Sequence, residues 1–103
     1  MNKAPMTERE AEEKMQKAQE AMRIINSPIV EDALRSMREK VYTAIESSRA
    51  GDEAARTQAY YMLRAIAMFD DEFKRKINDG KKAKSFLDSI KRRVKSIAEF
   101  SNG

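Results

Sequence analysis

The chain has 103 residues and a formal net charge of +4; 41% of its residues are hydrophobic and 37% charged, with three glycines and two prolines. That length suits one domain with a modest core, burying roughly 60–70% of its unfolded surface, and the apolar periodicity set out below excludes a disordered polyelectrolyte. Cysteine and histidine are both absent, which excludes a disulfide framework, thiolate metal sites and conventional nucleophile–base pairs.

Residues 1–6 read as a flexible N-terminal arm without a signal-peptide core, and no apolar run approaches the roughly 18 residues of a membrane span. The expectation is a soluble, intracellular protein with no membrane partner. Thr7-Glu8-Arg9-Glu10 is a capping box, in which the threonine serves the N–H three residues on and the glutamate reaches back. Behind it Ala11, Met15, Ala18, Met22 and Ile25 form a thin helical stripe over 7–25, suited to close but weak packing. Asn26-Ser27-Pro28 breaks the chain: Ser27 is a good N-cap and Pro28 a preferred first helical residue. The next helix, over 28–48, carries Val30, Leu34, Met37, Val41, Ala44 and Ile45 on one face. At its start, an apolar staple from Ile29 or Val30 to Ile24 or Ile25 would set the angle of the bend.

The cleanest periodicity follows. Ala55, Ala59, Met62, Ile66, Phe69, Phe73 and Ile77 fall at alternating steps of four and three, predicting a long central helix over 53–78 with Asp52 as its cap. Tyr61, Ala65 and Met68 make a second apolar strip roughly 100° around. A helix apolar on two faces needs two neighbours, within the fold or from a partner. Gly80 is read as the left-handed residue that ends this helix; a continuous rod, at about 1 kcal/mol relative to alanine, is the alternative. Ala83, Phe86, Leu87, Ile90, Val94 and Ile97 then predict a fourth helix over 82–99. No stretch alternates with period two. The expected fold is all-α: a small bundle of about four helices, one domain over 7–100, organised around the central helix.

Charge is uneven. Residues 1–80 carry fourteen basic and fifteen acidic side chains, whereas 81–103 carry seven basic (Lys81, Lys82, Lys84, Lys91, Arg92, Arg93 and Lys95) against Asp88 and Glu99. The excess positive charge sits wholly in this last segment. It offers a surface for nucleic acid or an acidic protein. The plainer reading is that long basic side chains lay their stems over a buried stripe. Phe86 and Phe100 read as core or cap residues rather than base-stacking platforms. Tyr60, Tyr61, Ala65 and Met68 are candidates for a protein interface, since tyrosine and methionine are favoured at such contacts; burial under another helix of the same chain is the alternative. Asp70-Asp71-Glu72 point about 100° apart on a helix and do not converge on one ion, so they read as solvated surface paired with Lys74, Arg75 and Lys76. No phosphate-binding glycine loop occurs. Neither an enzyme activity, nor a cofactor, nor a metal, nor a small-molecule substrate is expected.

The acidic, alanine-rich first helix, the junction Ile24-Ile25-Asn26-Ser27-Pro28-Ile29-Val30, and the close of the long helix at Phe73…Ile77-Asn78-Asp79-Gly80-Lys81-Lys82-Ala83 together resemble small helical proteins of tailed bacteriophages and prophages, encoded among virion assembly and DNA-packaging genes. The resemblance covers roughly Thr7 to Asp88. It implies a non-enzymatic assembly role in the host cytoplasm or the virion, through a homo-oligomer or another phage protein, and it assigns no functional residues. Two alternatives accompany it. One is a packaging protein resembling a small terminase subunit, which would bind nucleic acid through the basic C-terminal helix. The other is a small phage inhibitor of a host protein, with Asp70–Glu72 mimicking phosphates, although the basic net charge opposes that mimicry.

Overall fold

The Thr7 Oγ1 accepts a hydrogen bond from the Glu10 N–H at 3.1 Å, the cap expected there, and α1 (Glu8–Ile25) begins with it. The structure, a computed structural model, describes residues 6–102 and the side chains of residues 6–100; the predicted arm, apart from residue 6, lies outside the described residues. At the bend Ser27 takes the N-cap position before α2 (Pro28–Ser47), with Pro28 in the first turn. Its hydroxyl makes no capping bond, contrary to expectation; the Ser27 carbonyl instead accepts the Glu31 N–H at 3.0 Å. At the far end Ser48 Oγ donates to the Ile45 carbonyl at 2.6 Å. The following turn is held by Arg56, whose guanidinium donates to the Ala50 carbonyl at 2.8 Å. Asp52 Oδ1 then accepts the Ala55 N–H at 3.2 Å, as the sequence predicts, and opens α3 (Glu53–Asn102).

The fold is all-α, with no strand among the described residues, but it has three helices there rather than about four. α3 runs for 50 residues without a break. Gly80 is therefore helix interior and not a cap: no glycine has positive φ among the described residues. Its role is steric. Gly80 is buried, and a Cβ at that position would overlap the Ala18 Cβ and lie 3.3 Å from the Lys14 carbonyl oxygen. Absence of a side chain lets two helix backbones approach closely, and that packing offsets glycine's poor helix propensity.

Two compact units divide the chain, α1 and α3 running through both. One joins α1 up to Ala21 with α3 from Arg75 onward. Its buried residues are small: Ala11, Ala18 and Ala21 on α1, Gly80 and Ala83 on α3. The close packing expected of the alanine stripe is present. The α3 portion from residue 75 is about twice as long as the α1 portion it packs on, roughly 42 Å against 21 Å. Residues 86–90 are half-buried, and 91–100 are exposed on every side. Val94 and Ile97, expected in a buried stripe, thus face solvent, as does Phe100 at 89% exposure. Past residue 90, no described helix lies opposite this part of α3.

The other unit, Met22–Lys74, joins the end of α1, all of α2 and the first part of α3. Leu34, Val41, Ala59 and Ile66 form its core, with Ile25, Val30, Ile45 and Leu63 packed around them. Each fully buried aliphatic side chain of this size contributes about 1.5–3 kcal/mol, so the core is thin. On α3 the inward face runs through Ala59, Leu63 and Ile66. Met62 and Phe69, on the predicted stripe, lie at its edge and stay about half exposed. The observed inward face takes in Leu63, the neighbour of Met62, and is turned slightly from the predicted stripe.

Candidate functional site

Between α2 and α3, within the Met22–Lys74 unit, lies an open groove of about 650 Å³. Its floor is the outer edge of the core, Leu34, Val41 and Ile66. Its walls are side chains that α2 and α3 cannot cover for one another: Ile29, Val30, Ala33 and Met37 from α2, Met62, Ala65 and Phe69 from α3. Ile29 is 73% exposed; of the two residues offered for a staple at the bend it is Val30, with Ile25, that packs against the core. Phe69 is held in place by Phe73, ring centroids 5.0 Å apart and tilted 56°. Lys40 brings a charged group to the groove, where its stem can lie on the apolar wall with the ammonium in water.

The four interface candidates are not brought together as one site. Ala65 lines the groove, and Tyr61 lines an adjoining depression that shares Met62 and Ala65 with it. Met68, one turn beyond Ala65 on the same side, is 65% exposed. Tyr60 lines neither; its ring centroid lies 5.9 Å from that of Tyr61 at a 55° tilt, and the Arg64 guanidinium lies 6.0 Å from it on the ring face. None of the four is covered by another helix of the chain. Sequence reasoning placed Met37, Met62 and Phe69 in the core and gave Ile29 a structural role. The available signal was the overload itself: α2 and α3 together carry more apolar side chains than one helix pair can bury.

The basic candidates Lys81, Lys82, Lys84, Lys91, Arg92, Arg93 and Lys95 all lie on α3 and are all exposed. Lys95 sits 3.9 Å from Glu99. Past residue 90 no buried stripe exists for basic stems to cover. In the acidic cluster Asp70 is the half-buried member, and its carboxylate lies 2.8 Å from the Lys74 ammonium. That hydrogen bond, and the charge behind it, raises the Lys74 pKa, with desolvation and, more weakly, Arg38 opposing. The sign follows: the folded chain favours charged Lys74, a contribution present below the ordinary lysine range and lost as pH rises through the elevated value. Lys74 is exposed, its side chain at 69%, so this pairing matters locally and not for the fold.

No helix among the described residues is long and apolar enough to cross a membrane. Compared with known protein families, curated proteins and solved structures, the chain matches none of them.

Proposed function

We propose that this chain is a non-enzymatic phage structural or assembly protein that works through helical protein–protein contacts in the host cytoplasm or the virion. The observation that carries the reading is the apolar groove between α2 and α3, walled by isoleucine, methionine and phenylalanine side chains left about half exposed or more. A surface of that kind gains free energy by losing water to another apolar surface, and methionine adapts to the partner's shape. It lacks a convergent set of acid, base and nucleophile to activate a substrate. The phage assignment is supported by the resemblance at Ile24–Val30; the second segment contributes less, since residues 73–83 are helix interior rather than a helix end. The test is a photo-crosslinking amino acid at Ile29, expressed in the native source and read by mass spectrometry. Cross-links to a second copy of the chain or to another virion or packaging protein are the expected result; a folded chain that cross-links to none of these would remove the assembly reading.

A second reading has its own observation. Residues 91–100 are exposed all round and carry Lys91, Arg92, Arg93 and Lys95, an arrangement that suits phosphate contact better than a packed helix would. Duplex DNA of about 30 base pairs should then bind with a log–log salt slope of about −3 to −4, roughly −0.9 per phosphate neutralised. Changing all four residues to glutamate should abolish binding. Absence of binding at low salt rejects this reading and leaves the groove as the working surface.

A further inference from the structure

We infer that the α2–α3 groove is covered by the same groove of a second copy of this chain, so that α2 and α3 from each copy close as four helices around one shared apolar core. The inference rests on the reading that the groove serves protein contact, and names the occupant. A stable helical domain needs two packed layers around its core. Within the Met22–Lys74 unit, α2 and α3 lie side by side and leave their second apolar face open.

The exposed area is of the size a dimer needs. Ile29, Met37, Met62 and Phe69 in the groove, with Tyr61 and Met68 beside it, are 46–73% exposed. With roughly 200 Å² per large side chain, they leave on the order of 700 Å² open. A standard interface takes about 800 Å² from each partner, whereas the largest apolar patch of a typical monomer is about 300–600 Å².

Charge favours a second copy over a strongly charged partner. In a two-fold interface each patch meets itself, so a rim of one sign would repel its own image. The segment 22–74 carries eight basic and nine acidic side chains, close to balance. The +5 segment 81–103 could not be paired with itself in this way without a large repulsion. A nucleic acid or a strongly acidic protein needs several cations to bind well, and among the residues lining the groove only Lys40 is charged.

The decisive experiment is sedimentation equilibrium of the full chain from low to high micromolar concentration, with circular dichroism on the same samples. The expected mass is twice the 11.8 kDa of the chain. Ile29→Asp combined with Met62→Asp, both at exposed positions, should return it to one chain mass with helicity retained. If that variant loses helicity, a nitroxide on Met62→Cys in the otherwise unchanged chain decides instead. Dipolar coupling between the two labels supports the shared groove, and a dimer without coupling overturns it. A wild-type chain that stays monomeric at every concentration overturns the inference, as does a dimer that survives the double aspartate variant fully folded. Photo-cross-links from Ile29 to a virion protein would keep the broader contact reading alive in either case, so the two can fail separately.

Discussion

Gly80 and Gly51 are the same residue in opposite circumstances. In an exposed helix interior, replacing glycine by alanine gains about 1 kcal/mol. At position 80 the new methyl would strike Ala18 and press on the Lys14 carbonyl oxygen at 3.3 Å, and overpacking of this kind costs about 1–3 kcal/mol. Backbone contacts cannot swing aside as a flexible side chain can, so the clash wins. Gly80→Ala should lower stability by up to about 2 kcal/mol in urea titrations. Gly51 has nothing within 4 Å of its would-be Cβ and no positive φ. Gly51→Ala should be neutral or stabilising by up to about 1 kcal/mol, through the unfolded chain alone. A Gly80→Ala variant as stable as Gly51→Ala would mean that the α1–α3 approach is looser than described. The sequence marks glycine 80 as special without saying why: a glycine between two helical patterns reads equally as a cap or as a place where another backbone comes close. Only the position of Ala18, 62 residues earlier in the chain, decides it.

Among the elements, α3 shows what periodicity can and cannot report. Its start at Asp52, its apolar spacing and its helical character over 53–78 and 82–99, though not its continuity through Gly80, are legible, because caps and 3.6-residue repeats are local. Which side of the stripe is buried is not. Met62 and Leu63 are both apolar, and the choice between them depends on where the neighbouring helices lie. Equally hidden is the loss of cover past residue 90, since Val94 and Ile97 continue the pattern whether or not a neighbour exists. A helix with no buried face is held by its own hydrogen bonds only and frays from its end. Amide exchange should therefore be slow around Gly80 and Ala83 and rise steeply past Ile90, nearly to unprotected rates by Ser96. Protection that continued to residue 100 would show that something covers this end in solution.

At the scale of the whole molecule, the described residues form three helices where about four are expected, and the α2–α3 groove stays open. Tyr61 and Met68 are exposed in the single chain, so Tyr61→Asp and Met68→Asp should leave its helicity and unfolding midpoint within about 0.5 kcal/mol of wild type at low concentration, the range for surface substitutions. At high concentration both should shift association toward the monomer. Unfolding of the monomer by either change would place that strip in the interior after all. The interfaces of the two units differ in chemistry as well as location. The seam of Ala11, Ala18, Ala21, Gly80 and Ala83 holds by closeness and hides very little carbon. Heat-capacity change follows apolar area exposed, so opening this seam should change heat capacity only slightly, and its stability should vary little between cold and warm solution. The groove, lined by large aliphatic and aromatic chains, should behave in the opposite way, tightening on warming from the cold with a markedly negative heat capacity of association. Calorimetry across temperature would thus tell the two kinds of contact apart by their thermal character alone.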